Sequence, residues 1–196
     1  MRILSVAAAL SALLVASSTL SAQKSASTGF FIGLGAEGNA IRGNESQSVT
    51  ESGGGGSMTL GYGFGQHWSM YADASGANIN ADGGGSYSLG HADLGARVHF
   101  RAGPNIVVPF LQAGVAGRAI AEDFQGSRIT GSGAGFSFGG GLNAHFSPKV
   151  ALTGAVTWTT GSFTHFTEDG ASFASPSFDA TSARFQLGLL WFPRGR

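Results

Sequence analysis

The segment ARFQLGLLWF at residues 183–192 decides how this chain is read. Ala183, Phe185, Leu187, Leu189 and Trp191 fall on one parity, and Arg184, Gln186 and Gly188 fall on the other. Successive side chains of an extended strand point to opposite faces. The segment is therefore a strand with one bulky apolar face and one face that is small or ionic. A slip of one residue would exchange the two faces, so the parity is a physical constraint on how the strand pairs.

Seven further segments carry the same alternation, and none of them sustains a helical period. At 28–41, Phe30, Ile32, Leu34 and Ala36 oppose Phe31, Gly33, Gly35 and Glu37. At 57–65, Met58, Leu60, Tyr62 and Phe64 oppose Ser57, Thr59, Gly61 and Gly63. At 68–76, Trp68, Met70, Ala72 and Ala74 oppose Ser69, Tyr71, Asp73 and Ser75. A fourth strand ends with Ala92, Leu94, Ala96, Val98 and Phe100 against Asp93, Gly95, Arg97 and His99. In the fifth, Val107, Pro109, Leu111, Ala113 and Val115 oppose Gln112, Gly114, Ala116 and Arg118, with Val108 and Phe110 blurring the contrast. The sixth sets Ala134, Phe136, Phe138, Leu142 and Phe146 against Gly135, Ser137, Gly139, Asn143 and His145. The seventh sets Val150, Leu152, Val156 and Trp158 against Thr153, Ala155, Thr157 and Thr159.

Composition decides which face meets what. Of the 196 residues only 11% are charged, 33 are glycine and none is cysteine. A soluble domain carries charge on about a quarter of its residues. Here the lysines are Lys24 and Lys149 alone, so something other than water covers much of the surface. The apolar faces are expected to meet lipid, and the faces of Gly, Ser, Thr and Ala with a few charges to line a narrow interior. A soluble, lipocalin-like barrel for an apolar ligand would reverse this arrangement. Eleven basic and eleven acidic residues balance to zero net charge, which leaves no electrostatic case for nucleic acid.

The connections sort by length. Those at 65–67, 101–106 and 147–149 are short, whereas those at about 42–56, 77–86, 119–132 and 161–179 are long, polar and glycine-rich, and the two kinds alternate. Transmembrane barrels have short periplasmic turns and longer extracellular loops. The expected fold is all-β: an eight-stranded antiparallel up-and-down transmembrane barrel with both chain ends in the periplasm. Phe30, Phe64, Trp68, Phe100, Phe146 and Trp191 share the apolar parity at the short-turn end and form a candidate aromatic girdle. Tyr62, Phe136 and Trp158 are assigned to the opposite end.

The chain starts with Arg2, an apolar run over 3–15 and small residues over 16–22. This is the anatomy of a secretory signal peptide, too short to span a membrane as a helix. Cleavage is expected after Ala22, with Leu20 an unusual residue before it. The organisation is thus a signal peptide at 1–22 and one outer-membrane barrel domain at 23–196.

The alternating strands, the leader and the terminal ARFQLGLLWF resemble the small outer-membrane barrels typified by the OmpA transmembrane domain and OmpX. The resemblance spans the whole mature chain and rests on pattern, not on a sharp motif. It implies a bacterial outer-membrane location, a last strand read by the assembly machinery through Trp191 or Phe192, and lipid as the principal partner. Pro193 to Arg196 follow where that family ends on an aromatic residue.

The interior parity carries Glu37, Asp73, Asp93, Arg97, His99, Arg118, His145 and Arg184. Unpaired buried charges are costly, so carboxylate–guanidinium pairs across the lumen are expected. Glu37, Asp73, Asp93, Arg97, Arg118 and Arg184 would then form a structural plug rather than a gate, because eight strands enclose only room for side chains. The competing reading is an enzyme acting on lipid A, as some barrels of this size do with a His-x-Ser pair and an acidic partner. His67-Trp68-Ser69, His145-Phe146-Ser147 and Glu168 supply the residue types, but both pairs lie at the short-turn end. No catalytic, cofactor or metal site is assigned, and the scattered histidines lack zinc-ligand spacing. The glycine runs at 53–56 and 83–85 are assigned to loops and that at 139–141 to a strand. The expected role is non-enzymatic, structural or surface-interacting, in a monomer whose long loops carry Glu122, Asp123 and Arg128, and Phe163, His165, Phe166, Glu168 and Asp169.

Overall fold

Period-two alternation leaves each strand with one face for the inside and one for the outside, and closure of the sheet gives every strand two neighbours. The computed structural model describes residues 28–43, 49–100, 106–124 and 126–193. Its strands are β1 (Gly29–Gly43), β2 (Thr50–Gly63), β3 (Trp68–Asn80), β4 (Ser86–His99), β5 (Val107–Phe124), β6 (Ser127–Ser147), β7 (Val150–Glu168), β8 (Ala171–Phe173) and β9 (Phe178–Trp191). All pairings are antiparallel. They run in sequence order from β1 to β7, then β7 to β9, and β9 returns to β1. Eight long strands thus close a barrel without a free edge, and β8 adds a short hairpin to the end of β7. The leader assigned to residues 1–22 and the segments 44–48, 101–105 and 194–196 lie outside the described residues.

The direction of the faces follows the sequence. Phe64, Leu94, Phe138 and Leu187 are 66%, 56%, 54% and 49% exposed, which removes the lipocalin-like reading. Glu37, Asp73, Asp93, Arg97, Arg118 and Arg184 are all buried inside. The girdle residues Phe30, Phe64, Trp68, Phe100, Phe146 and Trp191 are exposed, at the end where the short turns lie. Tyr62 belongs with them rather than with Phe136 and Trp158, because it pairs with Phe30 and its ring packs 5.3 Å from Phe64.

The long connections are the main correction. Most of the residues assigned to them are strand: β2 begins at Thr50, β3 runs to Asn80, β5 runs to Phe124 where it pairs with Ser127 at the start of β6, and β7 continues to Glu168. The glycine run at 53–56 lies inside β2 and pairs with 76–79 of β3. A side chain at Gly55 would place its Cβ 1.9 Å from the Gly76 carbonyl oxygen, so glycine is what allows the two strands to approach there. At this end the outward residues are Ser52, Asn78, Asn80, Ser88 and Thr160. With polar groups outside, the greasy-against-polar contrast that marks a membrane strand disappears, although the backbone ladder continues.

Two further features shape this end. The Asp169-Gly170 turn between β7 and β8 has φ of 48° and 84°, the left-handed pair typical of a tight hairpin. Asp169 is tied to β6 twice, donating its N–H to the Arg128 carbonyl at 3.0 Å and accepting the Arg128 N–H on Oδ1 at 2.8 Å. A register shift where Ser132 pairs with His165 and Gly133 with Phe163 leaves Thr164 as an extra residue in β7.

Candidate functional site

The interior is layered along the barrel axis. At the short-turn end Phe31, Tyr71, Ala151, Leu190 and Phe192 form an apolar floor. Trp191 points outward and Phe192 inward, the latter donating its N–H to the Lys149 carbonyl at 2.8 Å and packing 5.5 Å from the Phe31 ring. The His145 ring packs at a tilt against Phe192, 5.6 Å away, and His99 Nε2 lies 2.9 Å from Ser69 Oγ.

Above the floor, the Arg97 guanidinium lies 4.4 Å from the centre of the Tyr71 ring and 4.9 Å from that of Phe110. Arg97 Nε donates to Gln112 Oε1 at 2.8 Å, and Gln112 Nε2 donates to Thr157 Oγ1 at 2.7 Å. The waist comes next. Asp73 and Asp93 are register partners on β3 and β4, and Arg184 reaches both from β9, with Nη2 2.8 Å from Asp93 Oδ2 and Nη1 3.8 Å from Asp73 Oδ1. Thr59 and Gln186 donate to Asp73 Oδ2, and Asn39 donates to Glu37 at 2.6 Å. A single guanidinium between two facing carboxylates offsets their mutual repulsion.

One layer higher, His91 Nε2 sits 3.0 Å from Ser182 Oγ, and Arg118 donates to the Ala180 carbonyl at 2.9 Å while lying 4.7 Å over the Phe163 ring. The interior then turns apolar again. Ile41, Ile79, Leu89, Phe163, Phe166 and Ala180 cluster there, with Tyr87, Ile120 and Phe178 packed against them. Above this packing, Ile41, Ile120, Phe166, Phe178 and Ala180 line a cup of about 270 Å³ at the long-loop end, with Glu51, Tyr87 and Glu122 also on its lining.

The structure therefore brings Asp73, Asp93 and Arg184 together and spaces Arg97 and Arg118 away from them. Ion pairs spread across the lumen were expected. Among the described residues, neither Arg97 nor Arg118 has a carboxylate within 4 Å, and the electron-rich faces of Tyr71, Phe110 and Phe163 hold these cations instead. The two apolar ends of the lumen were not read from the sequence. Ile41 and Phe31 did lie on the interior parity of β1 and could have signalled them.

The residue types of the enzyme reading are dispersed. His67 is exposed, and Ser69 is bonded to His99 inside the barrel. Ser147 Oγ accepts N–H groups from Lys149 and Val150 in its own turn. Glu168 stands at the other end of the barrel. Near it Ser172 Oγ lies 3.4 Å from His165 Nε2 on the exposed β7–β8 hairpin, and among the described residues no carboxylate lies within 4 Å of His165. Also among the described residues, no group of His, Asp and Glu could hold a metal ion.

The sequence model of the outer membrane protein beta-barrel domain family matches residues 8–190. No curated protein matches the chain. Several solved structures share the fold. Neisserial surface protein A superposes with a TM-score of 0.65 at 15% identity, covering 84% of this chain and 97% of that one. Ail, the attachment invasion locus protein of Yersinia pestis, gives 0.56 at 14% identity, with 84% and 98% covered. OprG, an outer membrane protein from Pseudomonas aeruginosa, gives 0.54 at 11% identity, with 86% and 98% covered. At these identities the likeness speaks to the fold.

Proposed function

The chain belongs to the outer membrane protein beta-barrel domain family, and from that premise we propose a non-enzymatic, surface-interacting role in which a plugged barrel anchors exposed strand ends. The observation that carries this reading is the waist. Glu37, Tyr71, Asp73, Asp93, Arg97, Gln112, Thr157, Arg184 and Gln186 leave about 10 Å³ between them, at the threshold for one water molecule. A column of water continuous enough to pass solutes needs far more room. The working part of the molecule is then the long-loop end, where β5, β6, β7 and β8 extend as paired strands with Arg128, His165, Glu168 and Asp169 near their tips.

The same proposal includes a leader removed after Ala22, outer-membrane lipid against the girdle, engagement of β9 by the assembly machinery, and a monomeric state. Ser172 and His165 form an exposed Ser–His contact at the long-loop end, but with no orienting carboxylate beside them among the described residues the pair lacks the third member that activates a hydroxyl. Conductance of the purified protein in planar lipid bilayers tests the reading. The expected trace is indistinguishable from that of protein-free bilayers. Reproducible unitary steps from the folded protein would show an open path and remove the plug.

A further inference from the structure

We infer that the cup at the long-loop end is a binding site for a small hydrophobic amine, whose apolar body fills the cup while its ammonium lies between Glu51 and Glu122. The cup is set above the waist, and its volume of about 270 Å³ lies near the small end of ordinary ligand sites, about 300–1,000 Å³. Its lower wall is Ile41, Ile120, Phe166, Phe178 and Ala180, a surface that gains by covering an aliphatic or aromatic group.

The charges select the head group. Glu51 and Glu122 lie on the lining, and no basic residue does among the described residues. Glu51 is fixed in place, because its Oε2 accepts the Tyr87 hydroxyl at 2.7 Å and its Oε1 accepts the Asp82 N–H at 3.1 Å. Glu122 is exposed and available to a ligand. Arg118, below the cup, is occupied by the Ala180 carbonyl and by the Phe163 ring. A carboxylate or phosphate head would meet two negative charges at the opening, whereas an ammonium would meet two acceptors. A neutral molecule would gain only from the apolar wall. The outward strand residues at this level are polar, including Asn78, Asn80 and Ser88, so the cup opens on the water side rather than to hydrocarbon.

Three water-soluble probes with one apolar body separate these cases: 2-phenylethylamine, 2-phenylethanol and 3-phenylpropionate. Titration calorimetry uses the full-length mature protein in lipid nanodiscs, with empty nanodiscs as the blank. The amine should bind saturably and about five- to tenfold more tightly than the alcohol, as expected for pairing with exposed or half-exposed carboxylates. The carboxylate should bind most weakly of the three. Glu122→Gln should bring the amine down to the affinity of the alcohol without changing the boiled-versus-unboiled gel shift that reports a folded barrel. Rising salt should reproduce part of that loss. Ile120→Trp, which fills the cup, should abolish binding of amine and alcohol alike. Equal affinity of all three probes would overturn the choice of an amine. No saturable binding of the amine, or amine binding untouched by both Glu122→Gln and Ile120→Trp, would overturn the site itself.

Discussion

The waist and the cup are enclosed by the same eight strands, yet their radial order is reversed. At the waist the inside is ionic, with Asp73, Asp93 and Arg184, and the outside is greasy, with Leu60, Leu94 and Leu187. At the cup the inside is greasy, with Ile79, Leu89 and Phe163, and the outside carries Asn78, Ser88 and Thr160. The wall itself is one continuous hydrogen-bonded sheet. What changes is the solvent around it. Hydrocarbon outside makes an apolar exterior favourable and leaves the small central volume to polar groups that satisfy one another. Water outside restores the arrangement of a soluble β protein, with its oily residues packed inward. The level at which the order flips is the level of the membrane surface.

The largest expected effect breaks the waist. Arg184→Met leaves two facing carboxylates buried without their cation, a loss of about 3–5 kcal/mol. Urea unfolding of the protein in lipid vesicles measures it. Adding Asp73→Asn and Asp93→Asn should recover most of the loss, since neutral partners do not need the guanidinium. A single-variant loss under about 1 kcal/mol would mean the three groups are solvated and the waist is not sealed. A smaller effect tests the cup. Leu89→Ala removes a fully buried side chain and should cost about 2–3 kcal/mol in the same assay, at the lower end for such truncations because the cup can admit water. No loss at all would mean this end is not packed as a soluble core. The smallest effect is local. Gly170 has a φ of 84°, so Gly170→Ala should strain the β7–β8 turn by about 1 kcal/mol. Amide exchange should quicken across 165–173 while the unfolding midpoint of the barrel stays where it was.

Much of the reversal could be read in the sequence as far as the solvent change, and little beyond it. Asp73, Asp93, Arg97 and Arg184 each sit between apolar neighbours in strands whose outward parity also carries Met70, Leu94, Val98 and Phe185, so the parity of the membrane levels is unambiguous. Above them Thr50 to Gly56 alternates nothing, because both faces of β2 are small or polar there, and by pattern alone such a strand is indistinguishable from a loop. Phe163 and Phe166 are both buried although they differ in parity. The extra residue at Thr164 shifts the phase between them, and a bulge of this kind is invisible to an alternation count. The hairpin tip was legible in principle, since Asp169-Gly170 is the dipeptide that tight two-residue turns favour. The ring-held arginines were not, because a guanidinium over Tyr71 or Phe163 depends on cross-strand placement that spacing along one strand does not encode.

The seam between first and last strands has its own consequence. Ile32 faces Trp191 and Gly43 faces Ala180, so the cylinder is completed only by contacts between the most distant parts of the sequence. Until β9 arrives, β1 and β7 each present a long row of unmatched amides and carbonyls, which hydrocarbon penalises heavily. Half-built intermediates are therefore poor tenants of a bilayer, and insertion is expected to be slow, cooperative and governed by the final strand to dock.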